Sequence, residues 1–347
     1  MEMDSSHNMS LLKKLLIGFG AVLCILVIAL FLFIWSLLSE QDMSEIPEYY
    51  PFRSPEARTE YLDHYDRRGL DWPVVSETKE VETSYGKTFI RISGPRGARA
   101  LVLLPSASAS SLIWMPNVKA LSEQCRVYAV DNIYDFGRSV NTRNIRNPDG
   151  MTDWLDELFT RLDLGDSINL MGLSFGGWLT SQYTLAHPER LTRVIWLAPA
   201  ATIYAIPGEW AWRGILSAIP HRFFMKKFMV DWLFEDLSRK KDQASIRQLD
   251  NIIDDALLGL KCFTFRMPVT PTVLTDDQLK GIQIPTLFLV GENEKLYPAE
   301  KAVQRLNSVA PQIQTEIIPG AGHDLTIVQA ELVNKKVLDF LLKTNPD

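Results

Sequence analysis

Apolar positions along the chain fall into three patterns. Leu15 to Leu38 is an unbroken run dominated by Leu, Ile, Val and Phe, with no Asp, Glu, Lys, Arg, Asn, Gln or Pro. At ~1.5 Å per residue, such a run as a helix spans a hydrocarbon core of ~30 Å. Residues 39–75 are polar, acidic and punctuated by proline, with a short helical pattern around Pro55 to Tyr65, and read as a linker. Beyond them, short strand-like segments alternate with helical ones. Glu80 to Tyr85 and Lys87 to Ser93 alternate in polarity about Gly86 and predict a hairpin. Ala98–Leu104, Val127–Val130, Ser167–Met171, Arg193–Leu197 and Thr286–Val290 are apolar runs of buried-strand type, and Gln312–Ile318 alternates as an edge strand does. Helical periodicity marks Met151–Leu162, Gly177–His187, Ala299–Val309 and Leu325–Leu342. This alternation predicts an α/β domain over residues 76–347, a mainly parallel sheet with helices on both faces.

The stretch between Leu197 and Pro285 breaks the alternation. It has no strand pattern, is helical in period and is rich in aromatics, from Trp210 and Trp212 to Phe263 and Phe265. It predicts a helical cap inserted at about 204–275, with most aromatics packing cap onto core and some lining a pocket at the junction.

Charge then assigns sides to the apolar run. Lys13 and Lys14 precede it, whereas Glu40, Asp42, Glu45 and Glu48 follow. The basic flank predicts a cytoplasmic tail at 1–14, a transmembrane helix at 15–38 and the large domain on the extracytoplasmic side of the cell membrane. A cleaved signal peptide fits less well, because the run exceeds an ordinary apolar region and lacks a small-x-small cleavage site near Trp35–Ser39. A net charge of −6 without a basic, aromatic-interleaved stripe argues against nucleic acid as a partner. Of three cysteines, Cys24 lies in the apolar run; Cys125 and Cys262 allow one disulfide but neither a disulfide framework nor a metal site. No strand is followed by a glycine-rich phosphate loop, so no cofactor is expected.

The chemistry concentrates at Gly172-Leu173-Ser174-Phe175-Gly176-Gly177, directly after a buried strand. Small residues two before and two after the serine suit a tight strand-to-helix turn that pushes its hydroxyl outward. A serine needs a base. Among five histidines, His7 precedes the apolar run, His64 is in the linker, His187 ends a helix before Pro188, and His221 is in the cap. His323, on a loop just past the last strand, is the candidate base. The orienting acid is sought after strand Thr286–Val290, where Glu294 is preferred and Glu292 held in reserve. Backbone N–H groups for a developing oxyanion come from Phe175 and from the small-residue loop Pro105–Ser111, with Ala107 the second donor.

These segments resemble the α/β-hydrolase superfamily, esterase/lipase-like branch, over about residues 78–345. Besides the serine turn, Val130–Ser139 resembles its aspartate–glycine–arginine–serine loop, and Trp114 its tryptophan after the oxyanion loop. His187-Pro188-Glu189-Arg190-Leu191 is similar to its helix-ending signature, and Ala321-Gly322-His323 to its glycine–histidine. The chain departs from the family in having Pro105-Ser106 for histidine–glycine and Glu294 for the usual aspartate. The resemblance implies an α/β-hydrolase fold and, with the apolar run, a membrane-anchored serine hydrolase acting on an ester or related acyl substrate. Acyltransferase, thioesterase or haloperoxidase chemistry, and a non-catalytic binding role on the same fold, are the alternatives.

Overall fold

A computed structural model describes residues 13–14, 17–20, 24, 28, 46–264 and 269–343. Two compact units are distinguished, one comprising residues 1–44 with 265–267, the other residues 45–264 with 268–347. In the first unit the described residues are helical. Among the described residues no helix is long and apolar enough to cross a membrane. That overturns the transmembrane helix expected at Leu15–Leu38, and with it the single-pass anchor, the membrane as partner and the extracytoplasmic address. Most of that run lies outside the described residues.

The second unit opens with helix α1 (Pro55–Gly69), begun by Ser54, whose side chain accepts from the Ala57 amide. The residues read as a linker are packed rather than free: Phe52, Tyr61, Tyr65 and Trp72 are all buried. Strands β1 (Ser76–Thr83) and β2 (Gly86–Ser93) then form the expected hairpin. At its turn Gly86 has φ +128°, and a Cβ there would lie 2.2 Å from the Val140 carbonyl oxygen. Next come β3 (Ala100–Leu104), α2 (Met115–Ser122), β4 (Arg126–Val130), β5 (Val140–Asn141), α3 (Pro148–Arg161), β6 (Ile168–Leu173), α4 (Phe175–Ala186) and β7 (Leu191–Leu197).

The cap follows as α5 (Gly208–Ser217), α6 (Arg222–Phe228), a π turn at Met229–Leu233, α7 (Glu235–Lys240) and α8 (Gln243–Cys262). It lies where the loss of strand pattern predicted it. Its long helix α8 passes close over the loop after β4, for a Cβ at Gly259 would fall 2.4 Å from the Phe136 ring. The chain closes with α9 (Asp276–Gly281), β8 (Thr286–Gly291), α10 (Ala299–Val309), β9 (Gln314–Ile318), α11 (Leu325–Val328) and α12 (Ala330–Leu342).

The strands form one sheet in the order β1-β2-β4-β3-β6-β7-β8-β9, with β5 beside β2. It is a mixed sheet, which corrects the mainly parallel one expected. From β4 to β9 the pairs are parallel, but β1, β2 and β5 pair antiparallel, and β2 meets β4 antiparallel too. The physical reason is the tight turn at Gly86, which reverses the chain without the crossover a parallel pair requires. Two apolar cores cover the faces. Trp154, Trp178 and Trp196 belong to one, and Trp114, Tyr65 and Phe340 to the other. Cys125 and Cys262 are buried free thiols, so the disulfide left open by the count is not formed; burial pushes both up to about 11.

Candidate active site

Ser174 joins β6 to α4 with φ +55° and ψ −113°. A non-glycine residue held there costs about 1–3 kcal/mol and persists only where its surroundings fix it. Three backbone hydrogen bonds do so: Ser174 N–H donates to Leu197 O, and Ser174 O accepts from Trp178 N–H and Ala200 N–H, all at 2.9 Å. The two flanking glycines make the turn sterically possible. A Cβ at Gly172 would lie 2.1 Å from Gly176 O, and one at Gly176 would lie 2.2 Å from Leu104 O. The serine is nearly buried, at the carboxyl end of β6.

Glu294 and His323 emerge from the ends of the next-but-one strand and the edge strand, on loops that are zipped together. Glu292 N–H donates to Ile318 O and Asn293 N–H to Ala321 O, each at 2.9 Å. A Cβ at Gly291 would collide with Gly322 O, so the loops touch backbone to backbone. The Glu294 carboxylate accepts from the amides of Lys295 and Leu296 at 2.8 and 2.9 Å. Both its oxygens stand 3.0 Å from His323 Nδ1. A carboxylate only accepts, so Nδ1 carries the proton and Nε2 is the basic nitrogen. Both side chains are buried. Burial pushes the His323 imidazole down, but the Glu294 charge and hydrogen bond, with help from Asp324, hold it above the ordinary histidine value. Glu292 faces elsewhere: its carboxylate accepts from Gly320 N–H at 2.9 Å. Ser174 and His323 belong to the same sheet edge, at the ends of β6 and β9, with no hydrogen bond between them among the described residues.

The loop after β3 is shaped by two carboxylates. Asp135 accepts the Ser108 amide on both oxygens, at 2.9 and 3.0 Å, and Ser108 has φ +58°. Fully buried Asp131 accepts from the amides of Ser111 at 2.7 Å and Arg138 at 2.8 Å, and from the Tyr65 hydroxyl. Burial raises the Asp131 carboxyl, and these donors oppose the rise. Ser108 is thus committed to Asp135, while the Ala107 amide makes no hydrogen bond among the described residues. Phe175 is the first residue of α4, where an amide has no partner within the helix.

Most of the chain is similar to known proteins. The sequence model of the alpha/beta hydrolase family matches residues 101–336. Carboxylesterase YbfK of Bacillus subtilis is 32% identical over 307 residues, covering 84% of this chain and 96% of that protein. The uncharacterized carboxylesterase nap of the same organism is 30% identical over 298 residues, covering 81% and 91%. The crystal structure of naproxen esterase from Bacillus subtilis superposes with a TM-score of 0.76 at 28% identity, covering 83% of this chain and 99% of that one. The chain belongs to the alpha/beta hydrolase family. It is an enzyme of the family's serine-hydrolase class, in the esterase-like branch.

Several residues of this alpha/beta hydrolase escaped the sequence. Asp131 and Asp135 lie in a segment read only as a family loop, and their partners Ser108 and Ser111 are about twenty or more residues away. Asp324 follows His323 directly and binds the cap: its carboxylate accepts from Leu237 N–H of α7 at 2.8 Å and from Gly322 N–H at 3.1 Å. Burial pushes it up to about 6. Asp236 of α7 accepts from Asn293 Nδ2 at 3.0 Å, and Glu235 pairs with Lys295 at 2.7 Å. A short cap helix is therefore pinned to both the acid loop and the histidine loop.

Proposed function

We propose that this enzyme hydrolyses a carboxylic ester through an acyl-enzyme on Ser174. The observation that carries the reading is the buried Glu294–His323 pair, at the same sheet edge as the strained turn of Ser174. His323 Nε2 takes the hydroxyl proton as Ser174 Oγ attacks the ester carbonyl. Glu294 stabilises the imidazolium, and the amides of Phe175 and Ala107 receive the oxyanion. The proton passes from His323 to the leaving alcohol. Water, deprotonated by the same imidazole, then releases the acid and restores the serine. The strain at Ser174 supports the reading, since a turn with no chemical task has no reason to retain it. The names of the two Bacillus relatives point to the same bond type.

A fluorophosphonate probe is expected to label the folded chain at Ser174, located by peptide mapping. Ser174→Ala is expected to lose that label and about 10⁴-fold or more of kcat/KM on p-nitrophenyl butyrate. Unchanged ester turnover by Ser174→Ala at equal purity defeats the proposal.

A further inference from the structure

In β2, separated from β6 in the sheet by β4 and β3, Arg91 has an unusual setting. Its side chain points to the same side as Phe89, because residues two apart on a strand share a face. Helix α1, from the segment that the sequence presents as a linker, covers that side. Arg91 is only 8% exposed, and its Nε is buried without a hydrogen-bond partner. No carboxylate pairs with it among the described residues. The guanidinium lies over the Trp72 ring at 5.2 Å and near Phe89 at 5.9 Å. It also abuts Gly69, where a Cβ would stand 3.1 Å from Nη2.

Burying the Nε of a guanidinium without a partner is costly, and natural proteins pair such groups. Here the group lines a cavity of about 500 Å³. A second guanidinium, that of Arg138, lines it too and lies 5.6 Å from the same Phe89 ring. Lys79 adds a third cation at the rim, Phe89 lies beneath the two guanidinium groups, and the exposed Leu70 side chain stands at the mouth. The two acidic lining residues are already engaged: Asp66 with Arg138, and Glu80 with Lys87 at 3.3 Å. The uncompensated charge in the cavity is therefore positive, and it is centred on Arg91.

We infer that this cavity is a second, non-catalytic binding site for a small carboxylate carrying a flat apolar body. Its carboxylate would take the terminal Nη donors of Arg91, with Arg138 beside it, and its body would lie against the exposed Leu70 side chain. The inference is independent of the reaction at Ser174.

Isothermal titration of the full chain with benzoate, and separately with inorganic phosphate, tests it. Benzoate is expected to bind and to raise the melting temperature. Arg91→Met, which keeps an apolar stem and removes the donors, is expected to weaken benzoate about tenfold or more. That variant should itself melt no lower than wild type, since a buried nitrogen without a partner has been removed. Arg91→Lys should fall between the two, and Ser174→Ala should bind as wild type does. Benzoate affinity unchanged in Arg91→Met, or absent from wild type, overturns the site. Phosphate binding as tightly as benzoate overturns the apolar body.

Discussion

The two ends of the candidate site use carboxylates in opposite ways. At the ends of β8 and β9, Glu294 places both oxygens against an imidazole, so its charge acts on a side chain that must gain and lose a proton. At the ends of β3 and β4, Asp131 and Asp135 place theirs against backbone amides of Ser111, Arg138 and Ser108, and their charge acts on shape. The loop between Pro105 and Ser111 carries only small side chains. It has little packing of its own, so its conformation is imposed from the neighbouring loop. One end tunes basicity and the other fixes geometry.

Substitutions at both ends bear on that contrast, the largest loss expected at Glu294, with Glu292 as its control. Glu294→Gln should keep the Lys295 and Leu296 hydrogen bonds while removing the charge, and lower kcat by about 10³–10⁴-fold. Glu292→Gln should change it by less than about threefold, because among the described residues that side chain holds only the Gly320 amide. A larger loss from Glu292→Gln would invert the assignment. Asp135→Ala should free the Ser108 amide and lower kcat about tenfold with little change in KM, a milder loss than deleting an oxyanion donor outright. Asp135→Asn, which retains an acceptor, should recover most of it; equal loss in both would show that charge, and not shape, matters at this end.

The smallest effect is on pH. His323 must be neutral to accept a proton, and its folded value lies above the ordinary 6.5. The acid limb of kcat/KM should therefore fall above that value, with activity lost as pH drops through it. Asp324 contributes to the upward shift, so Asp324→Asn should move the limb to lower pH. A limb that stays in place would remove Asp324 from the electrostatics of the base and leave it only its bonds to Leu237 and Gly322.

The sequence carried much of this arrangement, for reasons that can be located. Thr286–Val290 was legible because a strand covered on both faces is apolar along nearly its whole length, as Leu287 to Val290 are, and all of β8 is buried. The hairpin was legible from alternation about Gly86. The choice between Glu292 and Glu294 was not set locally, since both follow the same strand. It depends on how the acid loop zips to Ala321 and Ile318, far along the chain. Arg91 was invisible for a related reason. An arginine in an alternating strand reads as solvent-facing until α1 is seen to cover it. The apolar run at Leu15–Leu38 misled differently: hydropathy gave a span length, and among the described residues no helix of that length and character is found.

The hydrogen-only side chain at Gly259 has a practical consequence. Phe136 fills the space that any larger residue would need, so α8 and the loop after β4 fit as key and lock at a single point. Exchanging caps between relatives would demand that both halves of this fit travel together. A donor helix with alanine at that register would have to ride higher, opening the seam between cap and sheet.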